Sequence, residues 1–381
     1  MSMQLLWFTR MGGLLLWLAS TGIAAPLPRG PAPAAAARGQ VDATGVVHLP
    51  PTAVPPSKFM SPQARAKFIA LFSRPRQPPS QADFRTLREA DERKNAPFVA
   101  RAEALYPVSI EARVIDGVRT RVITPKAGFA PENRDRVLIN LHGGGFIWGE
   151  GNGALTESVP IAGLGRITVV TVAYREAPEA HFPAASEDVA AVYRELLKDH
   201  RAGDIGIYGC SAGGILTAEA IAWFQKEKLP MPGAIGTFCG SIAPLGGDSS
   251  HVAPLLVGEA PSAGADKAST DSDPYLRGAA ASDPLVFPIS SPQVLAGFPP
   301  TLLIAGSRDF TLSSLFASQA ALAAAGVDTE LHVWDGMWHA FLMDPDLPES
   351  RQVYRVIVRF FERHLGARHA EGRGSPKTTA G

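Results

Sequence analysis

The sequence predicts an α/β fold: a mostly parallel sheet covered by helices on both faces. Three observations predict it. Eight short apolar runs rich in β-branched residues recur between residues 108 and 334. Helical patterns lie between most of the later runs, which is the signature of parallel crossovers. The first two runs flank Asp116-Gly117, a hairpin turn that adds antiparallel strands at one edge. At 381 residues and 46% hydrophobic composition the chain has material for a sizeable core, in one large domain or two smaller ones.

The elements follow in order. Arg10 precedes an apolar run at 11–23, and Gly22-Ile23-Ala24 supplies the small residues that a signal peptidase reads, so 1–24 is expected to be a signal peptide of an exported, periplasmic or secreted protein. Residues 25–60 are rich in proline and alanine and are expected to be an extended linker, because proline removes amide donors and disfavours helix in the residue before it. Ser61-Pro62 pairs a cap residue with proline at the first helical position. It opens 61–107, expected to hold an apolar helix around Phe68–Phe72 and two charged ones at 84–94 and 98–105. The main domain is expected at 108–366, with strands at 108–114, 118–123, 137–141, 167–173, 205–208, 234–238, 301–305 and 331–334. Helices are expected at 187–198, 212–225, 312–325 and 349–365. Residues 240–297, rich in Gly, Ser, Asp and Pro, break the alternation and read as an insertion over the strand ends. The polar tail at 367–381 is expected to be disordered.

Composition removes several functions. Lys+Arg 36 balances Asp+Glu 36, so there is no cationic surplus for nucleic acid. No apolar run reaches the roughly 20 residues of a spanning helix, which argues against stable membrane insertion. Two cysteines, Cys210 and Cys239, are too few for a disulfide framework or a Cys-rich zinc site. There is no HExxH, no paired-cysteine motif and no phosphate-binding loop, so neither metal nor organic cofactor is expected.

Three features carry chemistry. Gly209-Cys210-Ser211-Ala212-Gly213 lies between a strand and a helix, the context of a nucleophile elbow that exposes Ser211 at the strand end. His142-Gly143-Gly144-Gly145-Phe146 follows another strand. Three successive glycines pack poorly but let bare N–H groups approach an oxyanion. His142 itself reads as a residue that organises its loop rather than as a base. Asp309 and His339 each follow a strand, on the same sheet edge as Ser211 and in the order Ser, Asp, His. Cys210 reads as a structural thiol, with a second nucleophile and a Cys210–Cys239 disulfide as alternatives. Glu187 and Asp188 read as charges favouring a helix N-terminus, with a second catalytic carboxylate as the alternative. Phe146, Trp148, Trp338 and Phe341 flank the site and either line a substrate pocket or pack in the core.

At this point the sequence resembles the bacterial hormone-sensitive-lipase-like esterases of the α/β-hydrolase fold. The matching text is HGGGF at 142–146, YREAPEAHFPAASED at 174–188, GCSAGG at 209–214, SRD at 307–309 and GMWHAF at 336–341, within about 108–365. The resemblance implies an eight-stranded sheet with a helical cap. It implies Ser211 as nucleophile, Asp309 and His339 as its partners, and Gly144, Gly145 and Ala212 as N–H donors to the oxyanion. It also implies a lid formed by 61–105 and 240–297. Cys210 stands where the family usually has an acidic residue, and Phe310 where a proline or aliphatic residue is common. The expected function is hydrolysis of small, moderately apolar, short-acyl esters through an acyl-enzyme, with a small-molecule ester as the only partner indicated. A lactone or aryl-amide hydrolase uses the same mechanism. A non-catalytic receptor on this scaffold would be expected to lack a triad member, and none is missing. Nothing in the sequence speaks to oligomeric state.

Overall fold

The computed structural model describes residues 38–73, 83–259, 270 and 273–366. The leader read at 1–24, the first part of the linker and the tail at 367–381 lie outside these residues. The chain divides into two units, 1–54 and 55–381. Within the first, β1 (Gln40–Val41) pairs antiparallel with β2 (Val47–His48). The Asp42 carboxylate accepts hydrogen bonds from the amides of Thr44 and Val46 at 2.8 and 3.1 Å and closes the turn. Part of the expected linker is therefore a short hairpin.

The second unit opens with α1 (Pro62–Phe72), whose cap Ser61 accepts from the Ala64 amide, and α2 (Phe84–Leu105), capped in the same way by Asp83 at the Thr86 amide. The two helices expected over 84–105 are one. Pro97 lies inside it, and packing along α3 (Asn152–Gly165) outweighs the missing hydrogen bond. Strands β3 (Val108–Ile115) and β4 (Val118–Pro125) meet at Asp116-Gly117, both with positive φ. Then follow β5 (Val137–Leu141), β6 (Thr168–Val172), α4 (Ala184–Leu196), β7 (Ile205–Cys210), α5 (Ala212–Lys226) and β8 (Ala234–Phe238). The expected insertion holds α6 (Asp248–Leu256) and α7 (Pro292–Leu295). The chain continues with β9 (Thr301–Arg308), α8 (Leu312–Ala324), β10 (Thr329–Trp338) and α9 (Pro348–His364).

The eight strands run in the order β10-β9-β8-β7-β5-β6-β4-β3, parallel except where β4 meets β3 and β6. Side chains alternate between faces. Val137, Ile139 and Leu141 of β5 join Ile205 and Ile207 of β7 in a core closed by α4 and α5. Leu138, Tyr208, Leu302 and Ile304 face the opposite core, closed by Val159 and Ile161 of α3 and by Ile357, Phe360 and Phe361 of α9. Each such fully buried apolar side chain contributes about 1.5–3 kcal/mol. Leu141 pairs with Val172 and Gly209, Cys210 with Phe238, and Phe238 with Ile304, so the central strands end level along one edge. Strand order reverses around β5, where open α/β sheets leave a crevice at their carboxyl ends. Among the described residues no helix is long and apolar enough to cross a membrane.

Candidate active site

Ser211 sits between the last residue of β7 and the first of α5 with φ 58° and ψ −124°. A serine seldom adopts this left-handed backbone, and it is held here by packing. A Cβ on Gly213 would lie 1.8 Å from the Leu141 carbonyl oxygen, and one on Gly209 2.2 Å from it. Only glycine at both positions lets β5, β7 and α5 close around the turn. The Ser211 amide donates to the Phe238 carbonyl at 2.7 Å and anchors the elbow to the neighbouring strand.

The other two residues are brought together by strand register. From Thr329 to Trp334, β10 pairs residue by residue with Thr301 to Gly306 of β9; the register then shifts, and Trp338 pairs with Arg308. Asp309 and His339 are the next residues of the two strands. Without this shift His339 would lie two positions beyond Asp309. His339 Nδ1 lies 2.9 Å from Asp309 Oδ1, and its Nε2 lies 3.0 Å from Ser211 Oγ. Asp309 is fully buried, whereas His339 is a quarter exposed. Burial pushes the Asp309 pKa up, but the facing imidazole and donors from His339 and Thr311 outweigh it and hold the carboxyl below its usual range. The Thr311 amide and hydroxyl both donate to Oδ1, at 2.9 and 2.8 Å. Phe310 lies against the His339 ring, 4.5 Å between centroids.

The glycine-rich loop faces this group. Gly144, Gly145 and Phe146 have successive positive φ values of 122°, 62° and 56°. A Cβ on Gly144 would lie 1.7 Å from the Trp148 carbonyl oxygen. Among the described residues the amides of Gly144, Gly145 and Ala212 have no hydrogen-bond acceptor. His142 is buried, stacked on Tyr174, and its Nδ1 contacts the Gly143 carbonyl oxygen. Burial pushes its pKa down to about 4, so it is a neutral loop organiser. The Tyr174 hydroxyl donates to the His142 carbonyl at 2.6 Å.

The remaining candidates separate by environment. Phe146 is buried and stacked on Tyr275, and Phe341 is buried in the core closed by α9. Trp338 packs against Phe68 and Phe72 of α1. Trp148 is half-buried and borders a cavity of about 1010 Å³. That cavity has a charged lining, including Arg88, Arg175 and Glu176, and reaches none of Ser211, Asp309 and His339. Glu187 and Asp188 hold Arg175. Cys210 and Cys239 are buried and unbridged. Their mutual hydrogen bond and burial keep the Cys210 thiol well above its ordinary pKa, which removes it as a nucleophile.

Sequence reasoning passed over three residues. Arg88 of α2 donates to the Ile147 and Ala177 carbonyls and ties that helix to the glycine-rich loop. Thr311 was legible from the Asp-x-Thr spacing that lets a hydroxyl and amide turn back on a carboxylate. Glu157 of α3 is a buried acid whose signal was its isolation in the apolar text ALTESVPIAG.

A model of the α/β-hydrolase fold family matches residues 138–343. An acetyl-hydrolase of Streptomyces hygroscopicus is 30% identical over 241 residues, covering 62% of this chain and 79% of that protein. Among solved structures, an esterase named E25 has a TM-score of 0.70 at 27% identity, with 84% of this chain and 98% of that chain covered. An esterase from the bacterial hormone-sensitive lipase family has a TM-score of 0.66 at 27% identity, covering 80% of this chain and 99% of that one.

Proposed function

The chain belongs to the α/β-hydrolase fold family, and from that membership we propose that it is a serine carboxylic-ester hydrolase for small, moderately apolar, short-acyl esters. The observation that carries the reading is the continuous hydrogen-bonded line from Ser211 Oγ through His339 to buried Asp309. The similarity to an acetyl-hydrolase and to two esterases supports the same class.

The chemistry follows from the geometry. Asp309 accepts from Nδ1–H, which leaves Nε2 with its lone pair toward Ser211. His339 takes the hydroxyl proton as Oγ attacks the ester carbonyl, and the Asp309 carboxylate stabilises the imidazolium. The amides of Gly144, Gly145 and Ala212 receive the charge on the carbonyl oxygen. His339 then protonates the leaving alcohol, and water repeats the sequence on the acyl-enzyme. Lactones and aryl amides are open to the same steps.

Substrate size is read from the N-terminal helices. Phe68 and Phe72 of α1 rest on Trp338, beside His339, while Arg88 fastens α2 next to the glycine-rich loop. Both helices thus meet loops that carry the site, and together with α6, whose Ser249 hydroxyl donates to the Phe310 carbonyl at 2.9 Å, they are read as its roof. Compact acyl groups fit beneath such a roof, so kcat/KM is expected to peak at roughly C2–C8 and fall for long-chain triglycerides. A chromogenic ester series on the purified protein tests both points. Ser211→Ala should lose on the order of 10⁴–10⁶ in kcat while keeping its fold. Wild-type turnover in that variant overturns the assignment of Ser211, and a maximum at long-chain substrates overturns the roof.

A further inference from the structure

α3 is apolar along most of its buried length, yet it carries Glu157 with only 2% of its surface exposed. Oε1 accepts from the Gly143 amide at 2.8 Å. Oε2 accepts from the Cys210 amide at 3.2 Å and from Asn140 Nδ2 at 3.1 Å. Gly143 immediately precedes Gly144, and Cys210 immediately precedes Ser211. One carboxylate therefore spans the glycine-rich loop and the nucleophile elbow, which come from different strands.

We propose that Glu157 is a positioning residue for ester hydrolysis, its carboxylate bridging the Gly143 and Cys210 amides so that Gly144, Gly145 and Ala212 converge on one oxyanion. This rests on the ester-hydrolase reading. The two loops already touch: a Cβ on Gly143 would lie 2.8 Å from the Cys210 carbonyl oxygen and 3.3 Å from Ser211 Cβ. Steric contact limits how near they come, but contact alone does not set the direction of their amides. A carboxylate accepts along several directions from two oxygens, so it satisfies donors from both loops and from Asn140 together. An apolar side chain there would leave two buried amides unpaired, and the loops would shift to rehydrate them. Donor aim is what such a shift spoils, since oxyanion stabilisation requires N–H groups placed for the charge before it forms. Burial raises the Glu157 pKa to about 8 and the three donors pull against it; the donors are placed for the ionised form, which accepts with both oxygens.

The test compares the full-length wild type with Glu157→Leu and Glu157→Gln. Leucine removes every acceptor at similar size. Glutamine keeps one acceptor oxygen and turns its carboxamide NH2 on whichever donors the other oxygen served. Three quantities are measured: kcat and KM on a short chromogenic ester, affinity for a trifluoromethyl ketone that forms a tetrahedral oxyanion on Ser211, and hydrogen exchange over 141–151 and 205–214. Expected is a kcat loss of about 10² for leucine and about tenfold for glutamine, KM within about twofold, and a matching loss of affinity for the ketone. Exchange should quicken in both segments. If the leucine variant does not fold, the glutamine variant carries the same comparison. Unchanged kcat in the folded variants, or a loss in KM with kcat and ketone affinity intact, overturns the proposal. A wild type that hydrolyses no ester overturns the enzymatic reading instead. Exchange needs no turnover, and unaltered exchange in both segments overturns the bridge by itself.

Discussion

Asp309, at the end of β9, and Glu219, in the middle of α5, are both withdrawn completely from solvent, and their surroundings drive them to opposite charge states. Asp309 meets His339 and two donors from Thr311, and its pKa lies below the usual range despite burial. Neither Glu219 oxygen has a hydrogen-bond partner among the described residues. Burial first, and the nearby charge of Asp273 second, raise its pKa well above the ordinary value. Depth does not decide whether an acid is ionised. The facing imidazole of His339 decides it at Asp309, helped by the Thr311 donors, whereas three donors without a facing cation leave the Glu157 pKa raised.

The comparison breaks most sharply at Asp309. Asp309→Asn is expected to lower kcat by about 10⁴, because an amide misdirects the imidazole tautomer. Steady-state kinetics within tenfold of wild type would mean that another acid supports His339. Glu219→Gln, by contrast, should leave kcat untouched.

Stability should respond with opposite sign at the two sites. Glu219 keeps its proton in the fold at pH values where the unfolded chain has released it. Its presence therefore costs stability as pH rises above the ordinary glutamate range toward the raised folded value. Glu219→Gln should melt above wild type at pH 8, with the margin closing toward pH 4. A margin independent of pH would show that Glu219 is ionised in the fold. Asp309, with its depressed pKa, contributes stability above the unfolded value that is lost as pH falls through the folded one. Melting curves of Asp309→Asn and wild type should accordingly converge in acid. Divergence there would contradict the lowered pKa.

The smallest effect is expected at Phe310, which touches His339 by ring contact alone. A contact of this kind is worth about 0.5–1.5 kcal/mol, so Phe310→Leu should slow kcat by roughly two- to tenfold. A larger loss would place Phe310 among the groups that fix the imidazole.

Much of this arrangement was legible. The apolar runs at 137–141 and 234–238 coincide with β5 and β8, and the order and loop placement of Ser211, Asp309 and His339 anticipate that they meet. The α3 helix was not, because Gly153, Pro160, Gly163 and Gly165 erase a helical signal. Gly163 is needed there for contact rather than propensity, since a Cβ would strike Tyr106 at 2.7 Å. Glu157 was hidden along with its helix. Pro97 suggested a break that packing against α3 overrides. Strands β9 and β10 extend past their apolar runs because ladder pairing continues through Gly306-Ser307-Arg308 and resumes at Trp338. The register shift that aligns His339 with Asp309 depends on pairing between distant segments, and no local pattern announces it. Whether an aromatic residue near the site is wall or core was equally undetermined: Phe146 and Trp148 are two residues apart, yet one is enclosed and the other borders a cavity.

The two thiols give the molecule a built-in gauge of its own opening. Cys210 and Cys239 have no exposed surface, and the Cys210 thiol is held protonated, so alkylating reagents reach neither while the sheet is closed. Labelling must wait for β7 and β8 to part, and its rate under native conditions therefore counts global openings rather than surface fluctuations. Iodoacetamide uptake should be near zero at ambient temperature, rise together for both cysteines, and follow the denaturant dependence of unfolding. Selective early labelling of one cysteine would reveal a local breach in the sheet directly beneath the serine.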